Sequence, residues 1–131
     1  MMEMLHVMTR DPETIRPGDM LLRAKEMMDA GGFRRLPVVH EGRVVGILTE
    51  RGLREHGGYL ESTKVDAAMK TPVVTVESKA SVEEAARMML ANKIGGLPVV
   101  DRGKLIGIVT SSDMLRAFLN VVEATQKIFK P

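Results

Sequence analysis

The chain has 131 residues and contains neither cysteine nor tryptophan. The lack of cysteine excludes disulfides, thiolate metal sites and cysteine nucleophiles, but with no cysteines present their pairing gives no information about the redox compartment. Aromatic side chains make up only 3% of the sequence, namely Phe33, Tyr59, Phe118 and Phe129. A surface that stacks nucleic-acid bases is therefore not expected. No apolar run approaches the ~20 residues of a membrane span, and Met1-Met2-Glu3-Met4-Leu5-His6 lacks the basic and apolar regions of a secretory leader. The expected location is the cytoplasm. Lys plus Arg number 19 against 17 Asp plus Glu, a formal charge of +2, and the charges are interspersed. Nucleic acid is permitted but not indicated as a partner. His6, His40 and His56 lie far apart in different predicted elements, so neither a metal site nor a triad is expected.

What the sequence does contain is a repeat. Leu36 to Thr49 (LPVVHEGRVVGILT) returns 61 positions later as Leu97 to Thr110 (LPVVDRGKLIGIVT), with eight of fourteen residues identical. The apolar letters are kept and the polar ones drift. The period divides the chain into repeat 1 at 1–58, a linker at 59–67, repeat 2 at 68–118 and a C-terminal helical tail at 119–131. In repeat 2, Val73-Val74-Thr75-Val76 reads as a strand. Ser81 with Glu84 forms a capping box for a helix whose apolar face is Val82, Ala85, Ala86 and Met89. In repeat 1, Asp19 is the expected cap and Leu21, Ala24 and Met28 the matching face. Both helices are expected to stop at a glycine pair, Gly31-Gly32 or Gly95-Gly96. Two strands follow, turning at Glu41-Gly42 or Arg102-Gly103, and a closing helix starts at Thr49 or Thr110. Each unit reads β-α-β-β-α. A unit of roughly 50 residues buries too little surface to be comfortable alone, so the two are expected to pack as one α/β (α+β type) body with pseudo-two-fold symmetry.

This order of elements resembles the CBS domain family, and a tandem pair of such repeats is a Bateman module. The residues that carry the resemblance are Leu-Pro-Val-Val, the Gly-apolar-apolar-Thr segment and, above all, GIVTSSD at Gly107 to Asp113. The resemblance implies a regulatory module rather than an enzyme. It also implies no obligatory cofactor, and an adenosine-containing ligand (AMP, ADP, ATP or S-adenosylmethionine) held in the cleft between repeats.

The residues themselves are consistent with such a site. Thr110, Ser111 and Ser112 open a helix, where free amides favour an anion, and the carboxylate of Asp113 can accept both hydrogens of a ribose diol. The same Thr110-Ser111-Ser112-Asp113 is also a capping box, whose work is structural. Repeat 1 keeps Thr49 but has Gly52 where the carboxylate belongs. Arg34, three residues before Pro37, matches a phosphate-directed basic position of some family members, although two adjacent arginines also suit a solvated edge. By the same resemblance, backbone around Thr75, Val76, Lys93, Ile94 and Gly95 frames the adenine. A homodimer is expected, acting in trans on an unidentified regulated protein. The alternatives are an interaction module without ligand, an enzyme using Asp113 and Thr110, which no second carboxylate, histidine or metal cluster accompanies, and a weak nucleic-acid binder using Arg34, Arg35, Arg43 and Lys104. The apolar stripe Leu115, Phe118, Leu119 and Val122, with Phe129 beyond it, either buries against a second chain or folds back on its own module.

Overall fold

The structure, a computed structural model, describes residues 2–129; the Phe129 side chain, and the expectation attached to it, lies outside the described residues. Repeat 1 comprises α1 (Leu21–Gly31), β2 (Arg35–His40), β3 (Arg43–Thr49) and α2 (Glu50–Glu55). Repeat 2 comprises β4 (Val76–Glu77), α3 (Val82–Asn92), β5 (Gly96–Asp101), β6 (Lys104–Thr110) and α4 (Ser111–Phe129), and a short β1 (Thr9–Arg10) precedes both. The two hairpins, β2 with β3 and β5 with β6, are antiparallel and share one register. Their turns place Glu41, Gly42, Arg102 and Gly103 at φ 50, 79, 52 and 79°. Positive φ at both central residues is the type I′ geometry, whose twist matches that of the strands it joins.

The expected helix faces are the buried ones: Leu21, Ala24 and Met28 on α1, Ala85 and Met89 on α3. Ser81 Oγ accepts the Glu84 N–H at 3.0 Å, the N-cap half of the expected capping box. Three local expectations are corrected. Asp19 does not cap α1; it accepts from the Arg16 N–H at 3.0 Å and closes the turn before the helix. Helix α3 stops at Lys93, which takes the left-handed conformation at φ 53°, while Gly96 already belongs to β5; only α1 ends on a glycine, Gly32 at φ 69°. The strand expected over Val73–Val76 shortens to Val76–Glu77, because only these two residues pair with β5.

The two repeats are joined by an exchange of segments. Strand β1, ahead of the first helix of repeat 1, pairs with β6 of repeat 2, and Lys70, ahead of the first strand of repeat 2, bridges to Ile47 on β3 of repeat 1. The cores follow the same exchange. Met4 and Met8 pack with Val76, Ala85, Leu97 and Val109 of repeat 2, whereas Val65 packs with Leu21, Leu36 and Leu48 of repeat 1. Met4 and Val65, 61 positions apart, are 1% and 0% exposed, and burying such side chains contributes about 1.5–3 kcal/mol each. Two glycines admit the crossing segments. A Cβ at Gly107 would stand 2.6 Å from Met8 Sδ and 2.8 Å from the Thr9 carbonyl oxygen, and one at Gly46 would stand 2.6 Å from Met69 Sδ. Residues 59–67 are tied down in the same way: the Leu22 N–H donates to Leu60 O, Leu21 N–H to Thr63 O and Val65 N–H to Asp19 O. Strands β3 and β6 lie against each other at the pseudo-two-fold axis.

Candidate functional site

The exchange produces two clefts, each combining the strand-to-helix junction of one repeat with loops of the other. The first, of about 720 Å³, brings Thr110, Ser111, Ser112 and Asp113 together with Asp11–Glu13 and Gly32–Arg35. The second, of about 670 Å³, brings Thr49 and Arg51 together with 69–74 and 92–96. Both volumes suit a small-molecule ligand.

The expected site residues therefore separate into two groups. Arg34 lines the Asp113 cleft with Thr110, Ser111 and Ser112, whereas Lys93, Ile94 and Gly95 line the Thr49 cleft. Val76 is 3% exposed in the repeat-2 core, and Thr75 lines neither cleft. The expected frame of Thr75, Val76 and Lys93 to Gly95 around the same ligand as Asp113 is thus not assembled. The loop facing Asp113 is its counterpart one period earlier, Gly32 to Arg34, because each junction looks across the pseudo-two-fold axis.

Asp113 is 5% exposed and fully engaged. Its Oδ2 accepts from the Thr110 N–H at 2.8 Å and from the Thr110 hydroxyl at 3.0 Å, and its Oδ1 accepts from Arg116 Nη2 at 2.6 Å. The Asp113 N–H donates in return to Thr110 Oγ1 at 3.3 Å. This is a reciprocal capping box, and it leaves the carboxylate about two of its roughly four lone-pair directions, both on Oδ1. The remaining acceptor capacity is held by Arg116, whose side chain is 69% exposed and returns to water at little cost. A diol can thus reach Oδ1 by displacing Arg116. In repeat 1, Thr49 Oγ1 accepts from the Gly52 N–H at 3.1 Å, with no carboxylate beside it.

The two arginines differ in a way their adjacency conceals. Arg34 is 80% exposed and lies 3.6 Å from Glu50. Arg35 has no carboxylate partner among the described residues, and its side chain lies across Gly95 and Gly96, where a Cβ at either position would collide with it. It lines both clefts. Burial, and then the repulsion of Arg34, lower its pKa from the usual guanidinium value. Sequence reasoning singled out Arg34 and missed Arg35 and Arg116. A signal for Arg35 was present: glycines stand in repeat 2 where repeat 1 has Arg34-Arg35, as a close approach requires.

A larger hollow, about 950 Å³, lies between α3 and α4 and shares Lys93 and Ile94 with the Thr49 cleft and Ser111 with the Asp113 cleft. Val82, Ala86, Leu90, Met114, Leu115 and Phe118 line it, and this apolar groove offers little to fix a polar ligand. The corresponding hollow in repeat 1 carries Lys25, Asp29, Glu50 and Arg54. No helix among the described residues is long and apolar enough to cross a membrane.

The geometry has counterparts. The family model for the CBS domain matches residues 4–58 and 65–120. A CBS domain-containing protein of Dictyostelium discoideum is 36% identical over 132 residues, covering 89% of this chain and 91% of that protein. An uncharacterized protein of Methanocaldococcus jannaschii is 37% identical, and the chain spans 45% of its length. Among solved structures, the CBS domain pair of protein MJ0100 in complex with 5′-methylthioadenosine and S-adenosyl-L-methionine superposes with a TM-score of 0.84. The identity there is 26%, over 91% of this chain and 97% of that one. CBSX2 in complex with AMP superposes with a TM-score of 0.79 at 28% identity, over 88% and 95%. With two matched units, two exchanged cores and one Thr-x-x-Asp junction facing the other repeat, the chain belongs to the CBS domain family and carries a pair of its repeats.

Proposed function

We propose that the chain is a regulatory ligand-sensing module that binds an adenosine-containing ligand in the Asp113 cleft and signals to another protein without catalysing a reaction. The observation that carries this reading is the Thr110–Asp113 junction: a carboxylate held rigid by its own capping box, shielded by one displaceable arginine, opposite Arg34 and Arg35. The ribose diol donates to Asp113 as Arg116 withdraws. The Ser112 amide and the arginines receive any phosphate, whereas the Ser111 N–H, expected to be free, already donates to Gly95 O at 2.9 Å. Related CBS pairs bind AMP, 5′-methylthioadenosine and S-adenosylmethionine, which supports the ligand class. Titration calorimetry against AMP, ADP, ATP, S-adenosylmethionine and 5′-methylthioadenosine tests it. At least one should bind once per chain and raise the melting temperature, and Asp113→Ala should weaken it about tenfold or more. Failure of all five to bind would refute the reading.

The module acts as a homodimer through α3 and α4. Leu90, Leu115, Phe118 and Ile128 are 80, 63, 62 and 76% exposed on this face, which favours burial of the α4 stripe against a second copy. Apolar patches beyond a few hundred Å² mark interaction surfaces, and an isologous pairing covers the same patch on both copies. The ligand then works by favouring one arrangement of repeats or protomers over another.

A further inference from the structure

The Thr49 cleft differs from the Asp113 cleft in charge. Asp11, Glu13 and Asp113 balance Arg34, Arg35 and Arg116 in the Asp113 cleft. The Thr49 cleft is lined by Arg35, Arg51, Lys70 and Lys93 and by no carboxylate. Among the described residues, Arg35, Lys70 and Lys93 have no acidic group within ion-pairing distance, and Arg51 has only the exposed Glu55 at 3.8 Å. Four cations around one concavity repel each other unless an anion enters.

Two further details concern the ligand. Thr110 spends its hydroxyl proton on Asp113, whereas Thr49 Oγ1 only accepts, so its O–H remains available to donate into the cleft. Position 52 has room for a Cβ. A Cβ on Gly52 would meet Ala68 O at 3.5 Å and Thr49 Oγ1 at 3.6 Å, ordinary contact distances, although glycine weakens the helix it opens. The cleft therefore lacks the carboxylate that would accept a diol, and every charged side chain that lines it is a donor, guanidinium or ammonium.

We propose that the Thr49 cleft is a separate anion site for a condensed phosphate group, a di- or triphosphate, which it holds without reading a sugar diol. The lysines supply point charge, while Arg35 and Arg51 supply paired N–H donors to adjacent phosphate oxygens. The group has two chemical sources, a nucleotide tail or an inorganic polyphosphate.

Calorimetric titration of the full chain with inorganic tripolyphosphate, and separately with ATP, tests the site. Tripolyphosphate should bind once per chain, less tightly as salt rises. Lys70→Glu and Arg51→Glu, both at exposed positions, should each weaken it about tenfold or more. Their melting curves report whether the fold is intact, and amide NMR shifts should fall on Thr71 and Lys93–Gly96 rather than on Thr110–Asp113. In an Asp113→Ala background, ATP binding that exceeds tripolyphosphate identifies the nucleotide as the source, and equal affinity identifies the phosphate chain itself; both support the site. No binding of either, indifference to both charge reversals, or shifts confined to Thr110–Asp113 would overturn it. AMP titration of Lys70→Glu keeps this result distinguishable from failure of the adenosyl reading, because Lys70 does not line the Asp113 cleft.

Discussion

Replacing Asp113 by Ala tests whether this carboxylate supports the fold as well as the ligand. A single lost cap interaction costs about 0.5–2 kcal/mol. Here the loss is larger. The partly buried Thr110 N–H and hydroxyl lose their common acceptor at Oδ2, a penalty of about 1–3 kcal/mol for donors left without a partner. The exposed Arg116 contact adds no more than about 1 kcal/mol. The sum is about 1–4 kcal/mol, which for a chain of this size lowers the melting temperature by roughly 4–15 °C. Urea unfolding followed by circular dichroism measures the free energy, and the denaturant slope should not change. A loss below about 0.5 kcal/mol would show that the reciprocal box does not hold the junction, and the argument from rigidity of the carboxylate would fail with it.

Four further outcomes are expected. Arg34→Ala should weaken AMP or ATP much more than 5′-methylthioadenosine, which lacks phosphate; equal losses in calorimetry would make Arg34 a packing residue. Truncation after Phe118 should loosen self-association in sedimentation, and an unchanged dimer would exclude the tail from the interface. Gly107→Ala should cost about 1–3 kcal/mol in urea unfolding, because its new methyl meets the Met8 sulfur and the rigid Thr9 carbonyl. At Asp19, partial burial raises the pKa, but the Arg16 N–H and the charges of Arg16 and Arg23 outweigh it and leave the carboxyl below its ordinary value. A lowered folded-state pKa means that its stabilisation is present above the unfolded value of about 4 and is lost as the pH falls through the folded one. The small stability difference between the protein and Asp19→Asn should therefore shrink toward zero in acid, and a difference that grows there would contradict this assignment.

Local chemistry carried much of this structure openly in the sequence. The hairpin glycines Gly42 and Gly103, the Ser81–Glu84 cap and the apolar faces of α1 and α3 depend on neighbours within a few residues, and pattern reading sees that range. The end of α3 at Lys93 is not legible because Gly95-Gly96 has the form of a helix stop; those glycines instead make room for Arg35, a contact between positions sixty residues apart. Asp19 was misread because a turn and a cap use the same side chain and differ only in where the backbone bends. The division of Thr49 and Thr110 between two clefts depends on which loop crosses the pseudo-two-fold axis, and neither periodicity nor spacing records that. Recurrence of Val, Ile, Leu and Gly showed that two units pack, but not that each lends the other an edge.

That lending changes what a cut would do. Cleavage in the exposed stretch around Gly57 and Gly58 would leave one fragment holding Met4, Met8 and β1, and a second holding Val65, Met69 and Lys70. Each piece keeps the part its counterpart needs to finish its core and lacks the part that finishes its own. Alone, such a fragment presents an unpaired strand and an open apolar floor, a template for aggregation. Together the two pieces are complementary, as the halves of a split reporter are, so a nicked chain holds together as one body and covalent continuity through Gly57-Gly58 is dispensable once folding is complete.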